Sequence, residues 1–174
     1  PHAEGGAQRE AEAQEAVRRL GICEVVVLRY PDGDVEDTRD FRGAIVEWVR
    51  RWRPSVLFTH DPEHPYPPYI THRDHRVVGR VALDAAYPLA RDRLSLPEQA
   101  ATGLEPHNVS QVWLFSSDMP DSSVDSTAGF AKKIDDLLEH QNHTVPADSL
   151  SVRGRNVASG SGSTASLCVG QPLS

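Results

Sequence analysis

Three short apolar runs alternate with stretches of helical periodicity, and this alternation limits the possible folds more than any other feature of the chain. Val25-Val26-Val27-Leu28, Val56-Leu57-Phe58 and the stretch from Val109 to Phe115 read as strands. The first, from Glu24 to Arg29, is continuous and β-branched, the pattern of a strand buried on both faces. Helix formers lie around them. One runs from Ala7 to Leu20 and closes at Gly21, after a loop from Pro1 to Gly6. A second runs from Arg39 to Arg53, capped by Asp37 or Thr38 and stopped by Pro54, with Phe41, Ile45, Trp48, Val49 and Trp52 on one face. A third covers His72 to Ala90, with Thr71 as N-cap and Val77, Val78, Val81, Ala82, Ala85 and Ala86 turned inward. A fourth follows Asp125, from Ser126 to His140. Strands separated by helices need right-handed crossovers, which place parallel strands in one sheet covered on both faces. The expected class is α/β with a mostly parallel sheet.

Size and charge narrow the range of functions. A chain of 174 residues fits one domain with a real core. A net charge of −7 argues against a nucleic-acid surface. No apolar run approaches the roughly 20 residues that span a bilayer, and no secretory signal is visible, which together predict a cytoplasmic protein without a membrane span. Cys23 and Cys168 form no CxxC pattern and read as free thiols. The sequons at Asn108 and Asn142 matter only in a secreted protein. From Thr144 the chain turns Ser/Gly-rich, with SGSGST at 159–164, so the expected organisation is a domain over 1–143 and a tail over 144–174.

In open parallel sheets, ligands gather beyond the carboxyl ends of the strands. Both polar clusters fall there. Tyr30-Pro31-Asp32-Gly33-Asp34 is a turn after the first strand. His60 and Asp61 follow the second, then a stiff Pro-rich loop, then His72-Arg73-Asp74-His75. Four of the eight histidines (His60, His64, His72 and His75) lie in this stretch. With Thr71 as N-cap, Asp74 sits at the third helical position, and His72 and His75 share one face of the first turn. Two imidazoles and a carboxylate suit a hydrolytic metal site, which needs protein ligands, a carboxylate base and a second imidazole for the tetrahedral intermediate. In that reading His75 is the ligand, His72 faces substrate, and Asp74 orients an imidazole. The simpler reading is a capped helix start with partly exposed histidines.

The string RPSVLFTHDP, then HRDHR, then an Ala-rich helix with Asp84-Ala85, resembles the PIG-L/LmbE-type N-acetylglucosamine deacetylase family. Glu4-Gly5-Gly6 resembles its Gly-Glu-x-Gly loop, Arg9-Glu10-Ala11-Glu12 with Leu20-Gly21 its Arg-Glu-x-Glu…Leu-Gly helix, and Tyr30-Pro31-Asp32-Gly33 its Asp-Gly turn. Val124-Asp125-Ser126-Thr127, with Lys133, Leu137 and His140, resembles its late helix. The resemblance implies a Rossmann-like three-layer fold and a Zn2+-dependent amidohydrolase acting on a small GlcNAc-containing glycoside, with room for a homo-oligomer. By position it makes His75 the metal ligand, His72 the oxyanion-stabilising or acid group, Asp74 the residue that orients His72, and Arg9 and Asp32 the sugar-pocket residues. The family's first motif, Ala-His-Pro-Asp-Asp-Glu, supplies further ligands and the base, and no match to it occurs here. The expectation is therefore a fold incomplete at the N-terminus and weak or inactive by itself. The alternative is a non-catalytic sugar-binding or regulatory remnant of the same fold.

Overall fold

The computed structural model describes residues 2–63, 72–117, 120–125 and 127–129, with side chains from residue 10 onward. These fall into two compact units, each taken by itself: one holds residues 2–29 with the described part of 120–129, the other residues 30–63 and 72–117.

In the first unit, helix α1 runs His2–Leu20. It begins where a loop was expected, because no proline interrupts the upstream residues and the strong helix formers carry the turn backwards. Gly21 ends it at φ +73, and Ile22 N–H returns to Val17 C=O at 3.0 Å. Glu15 accepts from both Arg18 and Arg19 on the following turn, and these two guanidiniums hold its carboxyl down at about 2. The segment 24–29, expected to be a buried strand, forms no strand. Val25 and Val27 are 36% and 40% exposed. No strand lies beside it among the described residues, and an extended run without a ladder leaves its amides to water. Cys23 is an exposed free thiol, and Cys168 lies outside the described residues. Of the expected late helix, the 3-10 turn Thr127–Gly129 is described, with Thr127 N–H donating to Asp125 Oδ1 at 2.9 Å; the tail also lies outside the described residues.

The second unit holds the core. Helix α2, Arg39–Trp52, starts at Thr38, whose hydroxyl accepts from Phe41 N–H at 3.1 Å. It ends at Arg53 in the left-handed region, φ 50, because Pro54 disfavours a helical residue before it. Phe41, Ile45, Val46 and Val49 are its buried stripe. Trp48 and Trp52 are half-buried and pack on each other, ring centres 4.9 Å apart. Strand β1, Val56–His60, pairs in parallel with β2, Gln111–Phe115, in the register Val56↔Gln111 through His60↔Phe115. The fold is thus α/β, with a parallel sheet of two strands among the described residues.

Helix α3, Arg73–Asp84, packs against β1 and buries Val81 and Ala82, while Leu57, Ala82 and Ala86 form a shared core. Its N-cap is His72, with φ −54 and ψ 138, where the sequence pointed to Thr71. Asp74 therefore stands at the second helical position. The imidazole does the capping, accepting Asp74 N–H at Nδ1. The expected single helix to Ala90 instead becomes a π-type turn over Ala85–Leu89 that breaks at Tyr87, φ −151, since Pro88 removes an N–H and excludes helical geometry before it. A short helix α4, Pro97–Ala101, interrupts the connection to β2. Buried Arg50 organises this connection. It donates to the carbonyls of Leu89 (3.1 Å), Ala90 (3.3 Å), Asp92 (2.9 Å) and Leu96 (3.4 Å), and burial pulls its pKa down.

Candidate metal centre

The end of β1, the first turn of α3 and the Asp32–Gly33 turn meet at one corner. Two hydrogen bonds fix the meeting. Gly33 N–H donates to Asp74 Oδ2 at 2.7 Å, and Arg73 Nη1 donates to Val35 C=O at 2.6 Å. The first needs a turn with its amide facing outward, which Gly33 supplies at φ +84. A carboxylate in the first turn of a helix also meets the positive end of the helix dipole.

Asp74 is 7% exposed. Its Oδ1 is buried without a hydrogen-bond partner among the described residues and is ion-paired with the Arg73 guanidinium at 3.6 Å. His72 and Asp32 are exposed beside it, and the ligating atoms of Asp32, His72 and Asp74 lie within 4.8 Å of one another. The Asp74 carboxylate is 3.9 Å from His72 Nδ1, so the backbone N–H of Asp74, at 3.2 Å, is the closer restraint on that ring. Because Nδ1 accepts this bond, neutral His72 carries its proton on Nε2.

His75 lies one layer in. Its ring stacks on His60, with centres 4.2 Å apart and planes 8° from parallel, and sits 5.5 Å from the His72 ring. His60 is 5% exposed, and among the described residues neither of its ring nitrogens has a hydrogen-bond partner. Burial, aided by the neighbouring His75, pushes the pKa of His60 down to about 4. Burial and His72 also lower the pKa of His75, against the opposing pull of Asp74 and Asp32. Both inner imidazoles are therefore neutral at neutral pH, the form that binds metals. The donor set of imidazoles and carboxylates, with a buried Asp74 oxygen that has the Arg73 guanidinium beside it at 3.6 Å, fits a divalent cation taking nitrogen and oxygen ligands.

The structure thus brings together four of the residues singled out in the sequence or close to them: Asp32, His72, Asp74 and His75. The Arg9 side chain and His64 lie outside what is described. Asp32, the expected sugar contact, stands in the converging trio, and His75 is its inner neighbour. The burial of His60 was missed. The available signal was its position directly after Val56-Leu57-Phe58-Thr59, inside the strand rather than in the loop beyond it.

The described residues thus define an α/β fold with a small parallel sheet and an imidazole–carboxylate corner at the strand end. Residues 1–86 match the PIG-L family, described as GlcNAc-PI de-N-acetylase. A diacetylchitobiose deacetylase of Thermococcus kodakarensis is 26% identical over 135 residues, which are 78% of this chain and 49% of that protein. The chain thus spans about half the length of this curated relative.

Among solved structures, N,N'-diacetylchitobiose deacetylase from Pyrococcus horikoshii superposes with a TM-score of 0.77 at 24% identity, covering 87% of this chain and 56% of that one. The conserved protein TT1542 from Thermus thermophilus gives 0.66 at 25% identity, covering 84% and 63%. GalB, the 4-carboxy-2-hydroxymuconate hydratase from Pseudomonas putida, gives 0.67 at 20%, covering 100% and 75%. A hydratase on this fold means that the fold alone does not specify deacetylation.

Proposed function

We propose that this chain carries part of a zinc-dependent hydrolase that removes acetyl from a small GlcNAc-containing glycoside, on a Rossmann-like three-layer framework. The observation that carries the reading is the corner itself: His72, Asp74 and His75 at the end of a parallel strand, in a chain whose residues 1–86 match a GlcNAc-PI de-N-acetylase family. The diacetylchitobiose deacetylase relative supports the same substrate class.

In this reading His75 is the protein ligand that this corner gives to zinc. Zinc, when bound, supplies Lewis acidity that polarises the acetamide carbonyl and makes water a nucleophile near neutral pH. The chain's own groups do the rest. His72 presents an Nε2–H to the developing oxyanion. The Asp74 N–H fixes the His72 tautomer, and the Asp74 carboxylate holds the Asp32–Gly33 turn in place. Asp32 accepts from sugar hydroxyls, a role that the motif match also gives to Arg9.

The donors that converge among the described residues are one imidazole and two carboxylates, and one oxygen of Asp74 and one nitrogen of His72 already hold backbone amides.

The convergence of Asp32, His72 and Asp74 favours a second assignment, in which this trio holds the cation and His75 only backs it. Zinc titration of His75→Ala and Asp32→Asn, alongside amine release from an N-acetylglucosaminide, separates the readings. Loss of zinc in His75→Ala with retention in Asp32→Asn supports the first. The reverse pattern moves the cation onto the trio. Unchanged zinc binding in both, no amine release and saturable N-acetylglucosamine binding would leave a non-catalytic sugar-binding domain.

A further inference from the structure

We propose that His60 is a positioning residue for His75: its buried imidazole forms a flat platform that sets the plane of the His75 ring. The proposal rests on the metal-ligand role given to His75 above, and three observations carry it.

The first is phase. Burial along β1 alternates, with Leu57 and Thr59 inside and Phe58 39% exposed. By that alternation His60 belongs to the exposed face with Phe58. It is nevertheless 5% exposed, because the first turn of α3 lies over it.

The second is the contact itself. The two imidazoles are parallel to within 8° at a centre distance of 4.2 Å. On its other flank His60 meets Phe115, its partner in the β1–β2 register, with ring centres 4.4 Å apart. A ring wedged between an aromatic neighbour and a helix cannot swing, so the ring stacked on it is held as well. Among the described residues no polar anchor on His60 competes with this packing, since neither ring nitrogen makes a hydrogen bond there.

The third is the backbone approach on the same helix face. Gly79 stands four residues after His75, one turn along α3, and touches the His60 main chain. A Cβ at Gly79 would lie 2.4 Å from the His60 carbonyl oxygen and 3.2 Å from its carbonyl carbon. One face of α3 therefore seats on His60 twice, ring on ring through His75 and backbone on backbone through Gly79. Helix height and ring plane are set together.

Outer groups that orient a metal ligand typically change metal affinity by roughly tenfold or more when removed. The test uses the 174-residue chain, Co2+ as a visible-spectrum probe, and the variants His60→Phe, His60→Leu and His75→Ala. Carbon-resolved proton NMR of the His75 ring gives a metal-free readout, because a ring stacked at this distance shifts its protons upfield. The expected result has three parts. Wild type and His60→Phe show the upfield His75 signals and similar Co2+ affinity and spectra. His60→Leu, a fold-retaining change by circular dichroism, loses the upfield shift and binds Co2+ roughly tenfold more weakly. His75→Ala loses the site.

If His60→Leu matches wild type in affinity and spectrum while His75→Ala loses the ion, the positioning role is wrong and the metal assignment stands. If His75→Ala still binds as wild type does, both are wrong. Should His60→Leu fail to fold, the wild-type spectrum decides: absence of the upfield His75 protons, or of contacts between the two rings, overturns the proposal.

Discussion

Two apolar runs of nearly the same strand propensity end differently in this molecule. Val56-Leu57-Phe58 becomes β1, hydrogen-bonded to β2 and covered by α3, with Leu57 fully buried. Val25-Val26-Val27-Leu28 is richer in β-branched residues, yet it forms no ladder and leaves Val25 and Val27 more than a third exposed. The difference is partnership, not propensity. Side chains pack and amides pair only when another strand and a helix arrive, and β preference is chiefly a measure of that context. The corner of β1 and α3 is therefore where single changes should matter, and the 25–28 run is where they should not.

The largest effect is expected at Gly79. In Gly79→Ala the added methyl meets the His60 carbonyl, a backbone atom that cannot yield, so α3 must lift from β1. A loss of at least about 3 kcal/mol in urea unfolding is expected, together with loss of the upfield His75 signals. A stable Gly79→Ala protein with an unchanged His75 spectrum would break the account of how the corner is assembled.

Leu57→Ala comes next. Leu57 is fully buried against Ala82 and Ala86, so truncation should cost on the order of 3 kcal/mol in the same assay.

Acid sensitivity should follow, because the proton uptake of His60 differs between the two states. Its pKa when folded is about 4 against 6.5 when free. Between those values the unfolded chain takes the proton and the folded chain refuses it, so stability falls as pH drops through the window. In metal-free protein the expected loss is about 2 kcal/mol between pH 7 and pH 5. His75, with its pKa lowered in the same direction, adds to the slope. His60→Phe removes the His60 share, and denaturant melts of the two proteins at both pH values measure it. At pH 7 the same variant should be no less stable than wild type, since it removes two buried nitrogens that have no partner.

The smallest effect is expected in the unpaired run. Val27→Ala should change stability by less than about 0.5 kcal/mol, because Val27 is 40% exposed and sits in no ladder. A cost like that of Leu57→Ala would mean that the run is buried in solution and that partnership does not separate the two runs.

Much of the candidate site was legible because its chemistry is local. His72, Asp74 and His75 fall within one helical turn, and a Pro-bounded strand before them predicts that they meet the strand's carboxyl end. The turn at Asp32 was equally readable from Pro31 and Gly33, and Asp34 N–H does close it on Pro31 C=O at 3.2 Å. The cap was misplaced by one residue because imidazoles seldom cap helices, and the sequence signal favoured the neighbouring hydroxyl of Thr71. The break near the end of the third helix was visible in Pro88, yet the apolar periodicity ran through it.

By itself, then, the sequence determined the periodicities, the α2 cap at Thr38, the stop before Pro54, the two strands that pair, and the grouping of histidines around one helix start. These depend on neighbours a few residues away, whose geometry the backbone imposes. Tertiary structure alone decided which apolar run became a strand, that the carboxylate of Asp74 turns to Gly33, that Asp32 joins His72, and that His60 is buried under His75. Each of these depends on groups tens of residues apart coming within a few ångströms, and no local pattern encodes that distance.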